Sequence, residues 1–289
     1  MLKITKLSKK FSGNDFYSLK DVDLTIDSGD IVGLIGKNGA GKSTLLKLIA
    51  KSLKPTEGTI DYLGQDIFQT KGILSDFGIM IEPVFYPDMT VIDNLKFYLD
   101  IHGKKDCYSN IESTLRLVDL WESRNRKPKA FSFGMKQRTA LAIALVAEPN
   151  FLLLDEPFVG LDPIGVNQLI AILKKWSQER NISMIISSHQ LGELEALCNR
   201  YVFIQDGQLE TEMKEQVAPG VLIELQDDVS KLQLPDNLPI HFHNGEIEVA
   251  IDSDSNYLNQ LFFALSSQSG IRKIRIKENH LKDYFEIGE

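Results

Sequence analysis

Three short stretches carry side chains whose types and spacing could handle a phosphorylated ligand. The first is Gly36-Lys37-Asn38-Gly39-Ala40-Gly41-Lys42-Ser43-Thr44, which fits G-x-x-x-x-G-K-[ST]. Without Cβ atoms, the glycines let backbone N–H groups turn inward around a phosphate. A helix starting at this point adds partial positive charge where the anion sits. Lys42 can then reach the β- and γ-phosphates, and the Ser43 hydroxyl can take a position on Mg²⁺. Taken alone, the stretch could be a glycine-rich turn before an ordinary helix.

The second stretch is Leu152-Leu153-Leu154-Asp155-Glu156. A carboxylate at the end of a buried strand suits the Mg²⁺ shell, which is the role expected of Asp155. Glu156, the next residue, is placed to polarise an attacking water as general base. The third is His189, which closes the apolar run Met184-Ile185-Ile186-Ser187-Ser188. If its strand neighbours that of Asp155, the imidazole lies beside the phosphates and can sense the γ-phosphate. The basic run Arg124–Lys129 reads instead as a solvated loop.

The elements that must position these groups follow from apolar periodicity. Ile31–Ile35 is a short apolar strand before the glycine loop, and helical spacing resumes at Leu45. Further strands are expected over Leu19–Ile26, Thr59–Leu63, Gly78–Ile81, Phe151–Leu154, Met184–Ser187 and Tyr201–Gln205, with turns at 64–66 and 206–207. Helices are expected from Met89 to about Ile101 (with Asp88 or Thr90 as N-cap), Asn110 to about Trp121, Ser132–Ala147, about 165–180 and about 190–198. Strands alternating with helices from 30 to 205 predict an α/β fold with a mostly parallel sheet. After about 214 the pattern changes to short strands at 221–225, around a hairpin at Asn244-Gly245, and at 271–276. A helix is expected over Leu258–Leu265 and another at the end of the chain, giving a small α+β appendix.

Bulk properties narrow the class. The chain has 289 residues, a formal net charge of −8 and 43% hydrophobic residues, ordinary for a globular protein. An acidic balance argues against broad nucleic-acid binding, which needs a cationic face. Cys107 and Cys198 are too few for a disulfide framework or a zinc site and read as reduced thiols. No signal peptide and no apolar run long enough to span a bilayer are present, so any work at a membrane is expected to go through a partner.

Between the glycine loop and the Asp155-Glu156 pair lies Phe131-Ser132-Phe133-Gly134-Met135-Lys136-Gln137-Arg138. This resembles the signature of ABC transporter ATPases, L-S-G-G-Q followed by K/R-Q-R, and the resemblance spans about residues 2–214. It implies a P-loop cassette over 1–214, with a helical subdomain at about 83–148, and a separate accessory α+β domain over 215–289. It also implies that two copies sandwich two ATP molecules with Mg²⁺. Ser132, Phe133, Gly134 and Met135 of one copy would then act in trans on the ATP bound by the other. By the same resemblance Phe11 stacks on adenine, with Phe16 or Tyr17 as lesser candidates, Asp162 belongs to the D-loop of Gly160-Leu161-Asp162-Pro163, and His189 is the switch histidine. Ser43, Asp155 and Glu82 face the metal, Glu82 standing where most members carry glutamine.

Phe133 stands at a glycine of the signature and Met135 at its glutamine. Together with the segment Ile81-Glu82-Pro83-Val84-Phe85-Tyr86-Pro87, this resembles the bacitracin-resistance and lantibiotic-immunity branch. Members of that branch pair with separate polytopic membrane subunits to export antimicrobial peptides. The resemblance places the protein peripherally on the cytoplasmic face of the membrane, with a permease docked near 82–100. The alternative is a soluble ABC-type ATPase acting on ribosomes or DNA. Such proteins carry tandem cassettes or long coiled coils, and this chain shows no sustained heptads. A GTPase reading lacks any N-K-x-D guanine reader.

Overall fold

The computed structural model describes residues 1–214, 220–225, 240–243, 246–250, 261–265 and 271–277. The chain divides into two compact units, Met1–Glu215 and Gln216–Glu289.

The first unit holds two sheets. Strands β1 (Leu2–Lys9), β2 (Leu19–Ile26), β3 (Ile31–Ile35), β4 (Glu57–Tyr62), β5 (Gln65–Asp66) and β6 (Phe77–Met80) surround helix α1 (Lys42–Ile49) in the chain. Helices α2 (Val91–Ile101), α3 (Asn110–Leu117) and α4 (Phe133–Val146) make up the helical subdomain. Strand β7 (Phe151–Asp155), helix α5 (Pro163–Arg180), strand β8 (Ser183–Ser187), helix α6 (Leu191–Leu197) and strands β9 (Arg200–Gln205) and β10 (Gln208–Lys214) complete the unit.

Sheet order is β2-β1-β4-β5 in one layer, all antiparallel, and β10-β9-β3-β8-β7-β6 in the other. The second sheet is parallel except for its β10 edge. Strands β3 and β8 are buried at every position, as strands covered on both faces must be. Apolar side chains of both sheets and of α1 share one core. Within it Tyr62 of β4 meets Phe77 of β6 edge-on at 4.8 Å, and Phe77 stacks on Phe151 of β7 at 4.8 Å. These contacts join the antiparallel layer to the far edge of the parallel sheet.

The order β3-β8-β7-β6 decides where chemistry can occur. It places the C-terminal ends of four parallel strands side by side, where ligands of such sheets bind. The glycine loop leaves β3, His189 follows β8, Asp155 ends β7 and Glu82 follows β6.

Several boundaries differ from the sequence reading for local reasons. The expected turn over 64–66 contains the two-residue strand β5, paired to β4. Helix α3 stops at Leu117, because the chain turns left-handed at Asp119 (φ 52°), and Trp121–Ser123 forms a separate 3-10 turn. Helix α5 begins two residues early, at Pro163, with Asp162 as its N-cap; proline at the first position lacks only an N–H that would have been unpaired. Strand β10 was missed altogether. Asp206 and Gly207 both take positive φ, the signature of a two-residue hairpin that folds residues 208–214, polar but for Leu209 and Met213, back on β9.

In the second unit, strands β11 (Gly220–Leu225), β12 (Ile240–His243), β13 (Glu246–Ala250) and β14 (Ile271–Lys277) form an antiparallel sheet in the order β12-β13-β11-β14. Val221, Ile223, Leu225, Ile247 and Val249 form its core with Leu261 and Leu265 of the helical residues 261–265. The register of β12 on β13, His243 opposite Glu246, is that of a two-residue hairpin. Asn244-Gly245 itself, residues 258–260 and the expected C-terminal helix lie outside the described residues.

Candidate functional site

The glycine loop is folded over its own backbone. Gly39 and Gly41 have φ of 85° and 117°, a region side chains rarely adopt. A Cβ at Gly41 would also stand 2.8 Å from the Ser18 carbonyl oxygen, so only glycine lets the β1–β2 connection close over the loop. Lys42 Nζ donates to the carbonyls of Gly36 (2.6 Å) and Lys37 (3.1 Å), holding the ammonium inside the ring the loop describes. Helix α1 has no side-chain N-cap and no acidic residue in its first turn. Its free amides and dipole are therefore left for an anion.

Ser43 and Asp155 converge as their expected metal roles require: Ser43 Oγ donates to Asp155 Oδ2 at 2.8 Å. The other carboxylate oxygen, Oδ1, accepts from Ser187 Oγ, its register partner on β8. Both Ser43 and Asp155 offer hard oxygen donors suited to Mg²⁺, with room left for phosphate oxygens and water as that ion prefers. Among the described residues no group of three or more His, Cys, Asp or Glu could hold a metal unaided. The donor set fits a metal delivered with nucleotide. Bound there, Mg²⁺ would neutralise charge on the phosphates.

Glu156 follows directly and takes φ 52°, the left-handed region. A non-glycine residue persists there only when its surroundings fix it, and such strain clusters at functional sites. Its N–H donates to the Ser187 carbonyl at 2.9 Å. Its carboxylate accepts from the His189 N–H at 3.1 Å and lies 2.8 Å from His189 Nδ1, with Ser188 Oγ at 3.4 Å. With Nδ1 engaged, Nε2 is the ring nitrogen that faces outward. Glu156 and His189 thus form one unit at the C-terminal ends of the adjacent strands β7 and β8, the histidine holding the carboxylate.

The signature segment sits at another helix start. Ser132 caps α4, its Oγ accepting from the Met135 N–H at 3.3 Å while its own hydroxyl hydrogen stays free to donate. Removing that cap by Ser132→Ala should lower unfolding free energy by about 1 kcal/mol in thermal or denaturant unfolding. An unchanged stability would contradict the cap. Gly134 lies against Gly160 of the D-loop so closely that a Cβ at Gly160 would stand 2.5 Å from the Gly134 Cα. Gly160 also has φ 84°. Backbone therefore meets backbone between the signature and the D-loop of the same chain. Phe133 is 64% exposed. Asp162 spends its carboxylate on capping α5, accepting from the Gly165 N–H at 2.8 Å.

This constellation has counterparts. The ABC transporter family model matches residues 19–159. The bacitracin transport ATP-binding protein BcrA of Bacillus licheniformis is 33% identical over 99% of this chain and 96% of its own. The chain belongs to the ABC transporter ATP-binding family. The lantibiotic transport ATP-binding protein SrtF of Streptococcus pyogenes is 36% identical over 72% of this cassette chain and 89% of its own. Among solved structures, the cassette MJ0796, dimeric and bound to ADP and Pi in a post-hydrolysis state, superposes with a TM-score of 0.68 at 26% identity. That match covers 75% of this chain and 99% of the other. The fold is the P-loop ABC ATPase fold, and the chemistry it carries is binding and hydrolysis of ATP.

Other expected residues of the cassette are placed as follows. Phe11 is half-buried on the β1–β2 connection, its ring 5.2 Å from Lys9 Nζ; it does not belong to the core. Tyr17, the lesser candidate, lies near Lys10 Nζ at 5.6 Å, and Phe16 is 65% exposed. Lys37, Asn38 and Gly39 are exposed at the loop tip, while Ala40 packs inward and Thr44 is half-buried on α1. Glu82 is exposed, and its carboxylate accepts from Lys47 Nζ at 2.6 Å. The basic run is structural: Arg124 lies over Trp121 at 4.3 Å, Arg126 over Phe131 at 5.3 Å, and Lys129 pairs with Asp88 at 2.6 Å. That hydrogen bond holds the Asp88 carboxyl below its usual range.

Sequence reasoning missed Ser187, Lys47 and Asn94. Asn94 of α2 is 2% exposed. It accepts from the Tyr86 N–H at 2.7 Å and donates to the carbonyls of Tyr86 and Thr90 at 3.0 and 2.9 Å. A lone asparagine in a helical pattern gives no signal of this; the bonds fix the shape of the segment after Glu82.

Proposed function

We propose that the chain is the ATP-hydrolysing subunit of an exporter of a peptide or antibiotic. It homodimerises around two Mg·ATP and drives a separate membrane subunit from the cytoplasmic face. The observation that carries the export reading is likeness to the bacitracin relative over nearly the whole of both chains, well beyond the cassette. The lantibiotic relative supports the same class of cargo. The dimeric neighbour supports the two-copy arrangement. In that arrangement Ser132 and the amides at the start of α4 complete the partner's phosphate site, which a single copy leaves open on one side.

Docking of the membrane subunit at about 82–100 has a physical basis. Val84 and Tyr86 are 76% and 53% exposed, and Ile101 closes α2 at 61%. Asn94 bonds the Tyr86 backbone, and the Tyr86 ring packs edge-on against Phe97 at 4.8 Å, which braces the segment at Tyr86. Exposed apolar side chains beside a braced turn suit a contact surface. Among the described residues no helix is long and apolar enough to cross a membrane. Affinity purification of the tagged chain from detergent-solubilised membranes should therefore recover a polytopic membrane protein. Val84→Asp with Tyr86→Asp should abolish that recovery while ATP binding persists. Recovery of ribosomes from the wild-type chain instead would overturn the exporter reading in favour of a soluble ATPase.

A further inference from the structure

Lys47 stands four residues after Ser43 on α1, so both side chains leave the same face one turn apart. Ser43 reaches Asp155 at 2.8 Å and Lys47 reaches Glu82 at 2.6 Å. The pairing of β6 on β7, Met80 opposite Leu154, brings Glu82 out of the sheet beside Asp155 and Glu156. Three carboxylates thus leave adjacent strands at the sheet end where a polyanion binds. Of the α1 lysines, Lys47 pairs with Glu82, while Lys42 is engaged by the loop carbonyls. The Lys47–Glu82 pair is not a stability device, since its side chains are 33% and 67% exposed and such pairs contribute little.

We propose that Lys47 is a positioning residue that holds the Glu82 carboxylate away from the phosphate end of the site. Without Lys47, the carboxylate is free to swing one helical turn toward Ser43 and Asp155 and to repel the nucleotide. The inference rests on the reading of this loop as an ATP site. It concerns this chain because a neutral glutamine at position 82 would need no such restraint.

The test is ATP affinity by calorimetry on the full chain, in EDTA and low salt, where no metal masks the carboxylate. Lys47→Gln should weaken binding about fivefold, the most that an exposed pair can hold back, and Lys47→Arg should retain the wild-type affinity. Compared with Glu82→Gln alone, the double variant Lys47→Gln/Glu82→Gln should lose no more than about twofold, the share owed to the lysine's own charge. The loss in Lys47→Gln should shrink in high salt. Should Lys47→Gln not fold, the reversed pair Lys47→Glu/Glu82→Lys gives the second route, binding more tightly than Lys47→Glu alone. Equal losses in both backgrounds, or none in Lys47→Gln, would overturn the assignment. Failure of the wild-type chain to bind ATP at all would instead sink the ATP-site reading beneath it.

Discussion

Replacing Glu156 by glutamine should lower Mg-dependent ATP turnover by about 10² to 10⁴, the range removed with a general base, while ATP still binds. The expectation follows from geometry more than from the neighbouring letters D-E. The left-handed backbone at Glu156 turns its side chain out of the sheet, and the Ser187 carbonyl fixes that turn by accepting the Glu156 N–H. Two groups of His189 then hold the carboxylate, the N–H at 3.1 Å and Nδ1 at 2.8 Å. Glutamine keeps the shape and the acceptor oxygen but cannot take a proton from water, so the fold should be undisturbed. Phosphate release followed with the purified chain, or with its membrane complex, checks this. Turnover equal to wild type would remove Glu156 from the role of base.

The second large effect is expected at Lys42. Its ammonium lies at the mouth of α1, on the Gly36 and Lys37 carbonyls. A phosphate in the loop would exchange these neutral acceptors for charged ones, and hydrogen bonds to charged groups contribute about 1.5–3 kcal/mol each. Lys42→Ala should therefore weaken ATP binding about 100-fold, with stability little altered because the residue lies outside the core cluster. Calorimetric titration with ATP decides it. Unchanged affinity would contradict the phosphate-cradle reading of the whole loop.

Much of this site is legible in the residues because its chemistry is local. A loop that must wrap phosphate needs glycines at left-handed positions, and Gly39 and Gly41 occupy them. A strand buried on both faces must be apolar until it ends, which makes Asp155 conspicuous. Helix starts at Thr90 and Ser132 follow from side chains able to cap, and each accepts the bond expected of a cap; Asp162 caps α5 as well, a helix that begins two residues ahead of the start that periodicity gives.

What could not be read depends on strand order. Periodicity cannot say that β8 lies between β3 and β7, and without that order Ser187 has no reason to meet Asp155. The same holds for Lys47 and Glu82, 35 residues apart, and for the glycine-to-glycine contact between signature and D-loop. Strand β10 was hidden for another reason. An edge strand on a hairpin can be mostly polar, and in 208–214 only Leu209 and Met213 are apolar, too few to stand out as a half-buried strand.

The central claim is that one copy holds half of each site and that ATP joins two copies. Light scattering on the Glu156→Gln chain tests it most directly, with Mg·ATP added and hydrolysis suppressed. The mass should shift from the monomer's 32.6 kDa to twice that value, reversed when ATP is removed. A Glu156→Gln chain that binds ATP yet keeps the monomer mass at every protein concentration would contradict it.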